Sequence, residues 1–396
     1  MGVTVTAPRN VTIVASDLMG SPGGATSVTL WMIEALARVH RVTLFATGEG
    51  LDFHHLNSLY GTHISAQDIC LCQPSLNVGA SILGARRIRQ LRIALLARKL
   101  RRLPKSDLYI SATNEIVLPD PHLQYIHFPQ HNVQALRMQA SGWNLAARLI
   151  NEALYRVASG FRRRCLSHTR LLTNSKWTSS YIRAAYGVEA EVVYPPVALP
   201  AEPGLPWPAR ESSIITVGRF DAKKNLHEAV YLTDRIRRSF PDVKLYIVGL
   251  GSGSYRDFVV DLALKRASFV KVVEGLPRQE LAALMGKCKF AIHCAHGEHF
   301  GMAPAEMAAS GCVTFVHASG GQVETIDHNP QLIFSDQDDA YRKFTAVANN
   351  PLQAAALSRS CSNFAHTHFG GDVFQSRICA IANELMGIEP GSDNTV

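Results

Sequence analysis

A chain of 396 residues is too long for one ordinary domain and suits two of roughly 150–200 residues each. Its 47% hydrophobic and 18% charged residues are ordinary for a soluble globular protein, so neither a disordered nor a fibrous chain is expected. A formal charge of +8 favours anionic partners: phosphate ligands, nucleic acid or acidic lipid.

Eight cysteines are scattered, and only Cys70 and Cys72 are close, in a C-x-C spacing that is no zinc pattern by itself. Most lie in apolar runs, which predicts buried thiols and a reducing compartment. The start lacks a charged n-region and a long apolar h-region, so no signal peptide is expected. No run reaches 18 apolar residues, so no transmembrane helix is expected. MGVTVT fits the myristoylation pattern formally, but a strand begins within a few residues and chance is the reading adopted. The expected location is the cytoplasm.

Residues 10–16 (NVTIVAS) read as a short buried strand, followed by a loop holding Gly20, Pro22, Gly23 and Gly24. A helix through Val28, Trp31, Met32, Ala35 and Leu36 and the strand RVTLFAT complete a βαβ unit, which implies a parallel sheet. Gly23 and Gly24 fall after a strand end, where open α/β sheets bind ligands, and they equally suit a plain tight turn. Residues 82–105 carry nine Arg or Lys and no acid, with Ile88, Leu91, Leu95, Leu100 and Leu103 at helical spacing. Such a basic amphipathic helix suits an anionic membrane surface or the solvated face of a helix packed on the sheet. DLYISA (107–112) is a strand, and LQYIHFPQH (123–131) is extended up to Pro129, with His127 at its end. Residues 143–166 read as a helix. RLLTNSKWTSSYIRAAYG gives strand, turn and helix, and EVVYPPV (191–197) a further strand. The proline-rich segment 199–212 is the expected linker.

After it the alternation restarts. SIITVGRF (213–220) is a strand running into the basic loop DAKKN, and strands and helices alternate from there to FAIHCA. The stretch 296–321 (HGEHFGMAPAEMAASGCVTFVHASGG) reads as loop, helix, strand and glycine loop. Pro304 suits the first turn of a helix and Gly311 its end. The last helix is expected over DVFQSRICAIANELMGI, packed on either half. The expected domains are therefore 1–198, 213–375 and a helix and tail, 376–396, that crosses back to the N-terminal domain.

Arg219 and Lys224 follow a strand end in one loop. A planar fork of donors beside a point charge suits a diphosphate; two solvated bases are the plainer reading. Backbone N–H groups at Gly320, Gly321 and the helix after Pro304 add donors. Glu306 is then free for ribose hydroxyls and Glu298 for sugar hydroxyls. Asp336-Gln337-Asp338 has the D-x-D form that holds a divalent metal in some sugar transferases. Here it precedes a helix-forming run, so helix N-terminal acids are the better reading. Arg219 and Lys224 also neutralise the charge that a metal would, and no metal is expected. No P-loop, nucleophile elbow, H-E-x-x-H or aromatic–basic RNA-binding pattern is present, so nucleic acid is not an expected partner.

GRFDAKKN (218–225) resembles the G-R-x-x-x-x-K segment of retaining GT-B glycosyltransferases, and EHFGMAPAE (298–306) resembles their E-x7-E motif. Gly23-Gly24, NSKWTSSYI and VVYPPV are also similar to that family. Within it, YIHFP, NSKWT, VYPPV, KKN, EHFG and AASGCVTFVHASGG look most like the lipid-linked-oligosaccharide α-1,2-mannosyltransferases, although Gln322 stands where those usually have proline. The resemblance implies an α/β chain of GT-B architecture, two Rossmann-like domains facing across a cleft. It implies a metal-independent retaining hexosyltransferase, with mannose the first candidate sugar. By the same resemblance Arg219 and Lys224 hold the diphosphate, Glu306 the ribose and Glu298 the donor sugar. His127 reaches the sugar, Gly23 and Gly24 approach the phosphates, and Gly275 and Leu276 meet the base. Phe300, Gly301 and Met302, between the two glutamates, complete the donor-binding set. His127, Glu298, Arg219 and Lys224 are the expected catalytic residues. The donor is a GDP- or UDP-linked sugar with no further cofactor, and the acceptor a glycan or lipid-linked precursor, with 82–105 touching an anionic membrane. An epimerase or hydrolase of nucleotide sugars, or a non-catalytic basic binding protein, are the alternatives.

Overall fold

The computed structural model describes residues 7–15, 18–19, 23–46, 50–73, 99–100, 105–130, 149–150, 153, 156–157, 160–200 and 204–388. The chain divides into two compact units, Met1–Pro196 with Gly371–Val396, and Val197–Gly370.

In the first unit the described elements are β1 (Asn10–Ala15), α1 (Gly24–Ala37), β2 (Arg41–Ala46), α2 (Phe53–Tyr60), β3 (Ile69–Cys72), β4 (Leu108–Ser111), β5 (His122–Ile126), β6 (Arg170–Thr173), α3 (Lys176–Tyr186) and β7 (Glu191–Val192). The strands form one parallel sheet in the order β3-β2-β1-β4-β5-β6-β7. Val11 to Ala15 are all buried, as strands covered on both faces require. α3 starts where Ser175 accepts a bond from the Thr178 N–H and stops at Gly187, which has φ of 72°. The C-terminal helix, Gly371–Leu385, expected from Asp372, belongs to this unit. It sets Phe374 edge-on to Tyr125 at 6.3 Å, and Gln375 accepts a bond from Arg38 Nη1 at 3.1 Å.

Three expectations change here. The strand expected over 191–197 stops at Val192, opposite Thr173 where its neighbour β6 ends, and Pro195 and Pro196 beyond it have no N–H for a ladder. The end of the helix expected over 143–166 is a 3₁₀ turn, Arg163–Leu166, and most of the rest lies outside the described residues. Neither α2 nor β3 is among the expected elements.

The second unit contains β8 (Glu211–Val217), α4 (Leu226–Ile236), β9 (Lys244–Gly249), α5 (Ser254–Leu264), β10 (Val270–Glu274), α6 (Arg278–Lys287), β11 (Cys288–His293), α7 (Met302–Ala309), β12 (Val313–His317), β13 (Ile333–Phe334), α8 (Gln337–Ala348) and α9 (Pro351–Phe369). Its parallel sheet runs β10-β9-β8-β11-β12-β13. Ile214, Ile247, Ile292, Phe315 and Phe344 pack in its main core. Strand–helix alternation up to β12 sends the loops that follow the strands to their carboxyl ends, the usual ligand edge of such sheets.

Residues 204–212, within the expected linker, pack against this second unit. Arg210 is buried and donates Nε to Leu205 O at 2.7 Å, Nη1 to Cys288 O at 3.2 Å and Nη2 to Ser310 O at 3.0 Å. Burial lowers its pKa, and the three carbonyls compensate the buried guanidinium. Arg210→Met leaves those acceptors without donors. We expect a loss of about 2–4 kcal/mol and a visible fall in Tm by circular dichroism; an unchanged Tm refutes the anchoring role.

Candidate active site

The basic loop after β8 is shaped by its own short side chains. The Asp221 carboxylate accepts from the Lys223 N–H at 3.0 Å and starts the 3₁₀ turn Ala222–Lys224. Asn225 then takes the left-handed conformation, φ 48°, which Asn tolerates better than most residues. Its Nδ2 donates to Cys294 O at 3.2 Å, which fastens the loop to the end of β11. That placement carries Lys224 Nζ to 2.5 Å from Glu298 Oε2. The Arg219 guanidinium is exposed and makes no ion pair or hydrogen bond among the described residues.

Glu298 is held from behind by the glycine loop after β12. Gly321 N–H donates to Glu298 O at 2.7 Å, and Glu298 and Gly320 form a parallel bridge. Gly320 has φ of 88°, and a Cβ there would fall 2.2 Å from Glu298 O, so no other residue fits. Gln322 is fully buried and closes the junction. Its Nε2 donates to Ala295 O at 2.7 Å, Ser319 O at 2.9 Å and His317 O at 3.0 Å. Ser319 Oγ accepts from the Gly297 N–H at 2.9 Å. The loops after β11 and β12 therefore move as one piece.

α7 begins at Gly301, φ 104°, with Pro304 in its first turn, and Gly311 beyond its end has φ of 80°. The first N–H groups of an α-helix have no partner inside it, so Met302 and Ala303 present donors at this end. Glu306, one turn in, has no side-chain hydrogen bond or ion pair among the described residues. Burial pushes its carboxyl up to about 7, against the pull of Arg278. Glu298 behaves oppositely. Burial works against its charge, but the His293 and Lys224 contacts outweigh burial and hold it well below the usual carboxylate range. Burial brings the neighbouring His299 down to about 4, so that ring is neutral at pH 7.

The other expected residues are spread over both units. Gly275 is exposed with φ of 70°, and Leu276 packs against the same apolar cluster as Ala303 and Met307. The Phe300 ring is buried against Phe369 at 5.2 Å, so its contact with a ligand would run through its backbone. Gly23 and Gly24 lie at the exposed start of α1 in the first unit, where Gly23 N–H donates to the Tyr60 hydroxyl at 2.7 Å. His127, also in the first unit, follows β5. Its N–H donates to Asn114 Oδ1 at 2.7 Å, and its Nε2 lies 3.1 Å from Ala112 O, which fixes the ring. Asp336 is the N-cap of α8, accepting from the Asp339 N–H at 2.8 Å, and Asp338 pairs with Arg235. Among the described residues no cluster of His, Cys, Asp or Glu is arranged to hold a metal, and no helix is long and apolar enough to cross a membrane. Of the basic run 82–105, only residues 99–100 and 105 are described; Leu100 is buried there with Val14, Phe45 and Tyr109.

Sequence reasoning missed Asn225 and His293 as site-building residues, and saw Gln322 only as a departure from proline. No spacing rule marks a single amide or imidazole; only the folding of the second unit brings them to the site.

Residues 202–364 match the family of glycosyl transferases group 1. The human GDP-Man:Man(3)GlcNAc(2)-PP-Dol alpha-1,2-mannosyltransferase is 25% identical over 231 residues, covering 50% of this chain and 46% of that protein. The glycogen synthase of Mycobacterium tuberculosis (strain ATCC 25618 / H37Rv) is 31% identical over 117 residues, 29% of this chain and 28% of that one. The chain thus matches less than half the length of these curated relatives. Among solved structures, WaaG, a glycosyltransferase involved in lipopolysaccharide biosynthesis, aligns with a TM-score of 0.70 at 16% identity over 95% of this chain and 100% of its own. Anabaena Alr3699/HepE in complex with UDP-glucose aligns with a TM-score of 0.65 at 14% identity, over 95% and 100%. Two parallel-sheet α/β domains with these neighbours define the GT-B glycosyltransferase fold. Within that fold, the match to the glycosyl transferases group 1 model falls in the second unit.

The folded-state pKa of Glu306 lies above its unfolded value, so the protonated group favours the fold below about 4.5 and that contribution is lost as pH rises through about 7. Glu306→Gln should therefore change stability little near pH 5 and add about 1–2 kcal/mol near pH 8. Denaturant titrations at the two pH values check this; a difference independent of pH refutes it.

Proposed function

We propose that the protein is a retaining glycosyltransferase moving a hexose, mannose the first candidate, from a GDP- or UDP-linked sugar to a glycan or lipid-linked acceptor. The observation that carries this reading is the convergence of Lys224, Glu298 and the start of α7, with Glu306, at the carboxyl edge of one sheet. The names of the matched relatives support the class: a GDP-Man-dependent alpha-1,2-mannosyltransferase and a glycogen synthase. The complex of a GT-B neighbour with UDP-glucose supports the donor class.

In this reading the departing diphosphate gathers negative charge as the sugar bond breaks. The Arg219 fork and the Lys224 ammonium stabilise that charge, together with the N–H groups at the start of α7; the Gly321 N–H expected to join them is already given to Glu298 O. In this reading the N–H groups at the start of α7 are held in place by the helix, which makes electrostatic stabilisation effective, and Lys224 exchanges Glu298 for the phosphates. No metal is required, since the two bases neutralise the diphosphate. Glu306 accepts from ribose hydroxyls and Glu298 from sugar hydroxyls. No side chain of the site is assigned as a covalent nucleophile, and attack on the sugar's own face, assisted by the leaving phosphate, is the retaining route proposed. His127 is proposed to act on the sugar from the first unit. The protein would work at the cytoplasmic face of a membrane, with the run 82–105 as the contact.

Calorimetric titration with GDP and UDP tests the donor site, and the base that saturates names the donor class. Lys224→Ala should lower transfer about 10²–10³-fold with an unchanged circular dichroism spectrum; wild-type turnover with the natural donor refutes the diphosphate assignment. Cosedimentation with anionic liposomes tests the membrane contact. Binding should weaken when Arg86, Arg87, Arg92 and Arg98 are neutralised, and no binding at low salt overturns it.

A further inference from the structure

Lys224 is already engaged in this structure. Its ammonium lies 2.5 Å from Glu298 Oε2, and the two side chains keep 20% and 23% of their exposure. A nucleoside diphosphate carries more charge than one carboxylate and offers more acceptors, so it competes for that ammonium. If Lys224 turns to the phosphates, Glu298 is left ionised and mostly buried next to a newly added anion. A buried charge in that position needs a new partner.

The structure supplies one candidate. His293, the last residue of β11, is 1% exposed, and its Nε2 stands 3.7 Å from Glu298 Oε2. Among the described residues neither ring nitrogen has a hydrogen-bond partner. A buried imidazole with both nitrogens unmet is an exception that calls for a reason. A side-chain shift of about 1 Å closes the gap to hydrogen-bond length. Lys224 from the loop after β8 also acts on the ring, the buried Cys294 thiol follows it in sequence, and His299 from the Glu298 loop feels Glu298, Lys224 and Lys223. From β12, His317 is engaged by Ser319 Oγ and Ser335 O.

We propose that His293 is a positioning residue for the donor site: when Lys224 leaves Glu298 for the diphosphate, His293 takes a proton from solvent and replaces it as the cationic partner of Glu298. The proposal rests on the diphosphate reading of Lys224. In this structure burial lowers the ring's pKa; Glu298 favours its proton and Lys224 repels it. Departure of Lys224 removes the repulsion and leaves the carboxylate, which turns the balance toward the imidazolium. The ion pair then keeps Glu298 charged and fixed, as an acceptor of sugar hydroxyls should be.

The test is calorimetry of GDP and UDP binding to the full chain near pH 7, in buffers of different ionisation enthalpy. Wild type should take up about 0.5 proton or more per nucleotide beyond the value for His293→Gln. The terminal phosphate's own proton contributes to both proteins, so the difference isolates the ring. Glu298→Gln should lose the same uptake and bind the nucleotide about 3–10-fold more tightly, because Lys224 starts free. A His293 that only filled space would change Tm and leave the proton count alone. Saturable binding with equal proton counts in wild type and His293→Gln overturns the inference, as does weaker nucleotide binding by Glu298→Gln. Absence of saturable binding by GDP and UDP overturns the diphosphate reading and the inference with it.

Discussion

The junction between the loops after β11 and β12 is the constraint on which the second unit's chemistry depends. Glu298 is a loop residue, and a loop carboxylate is ordinarily free to wander. Here its backbone carbonyl is taken by Gly321, its backbone is bridged to Gly320, and Gln322 binds carbonyls from both loops. The side chain that points away from this junction is therefore aimed by hydrogen bonds made behind it. The asparagine at the far end of the basic loop does the same from the other side, bringing Lys224 against the carboxylate.

That framework gives two glutamates opposite electrostatics. Glu298 has cationic and imidazole neighbours and stays charged despite burial. Glu306 sits in a helix with only Arg278 to oppose burial, and its carboxyl is close to half-protonated at neutral pH. A permanently charged acceptor and a group able to accept or donate suit two different sets of hydroxyls. The distinction arises from partners, since the residues are chemically identical.

Among the described residues the exposed Arg219 guanidinium has no partner, while the Lys224 ammonium of the same loop is paired with Glu298. The buried His293 ring lies 3.7 Å from that same carboxylate.

Much was legible in the chain itself. Strand–helix alternation announced two parallel-sheet domains, because period-2 and period-3.6 patterns follow from local backbone geometry. Arg219, Lys224, Glu298 and Glu306 stood out because short motifs keep their spacing within single loops and helices. Pro304 and Gly311 marked the ends of α7 for the same local reason. The prolines at 195 and 196 also had their signal, and the strand drawn through them ignored it. Other features had none. β13 is only Ile333–Phe334, too short for any periodicity. Arg210 read as part of a linker until three carbonyls from distant positions closed on it. The sequence by itself determined which residues carry charge and on which local element each one sits. Only the tertiary structure decided which charges meet, which carboxylate is neutralised by burial and which by a partner, and that a buried histidine lies behind the ion pair. Those outcomes depend on distances between residues far apart in the chain, and electrostatic energy depends on distance and burial rather than on order.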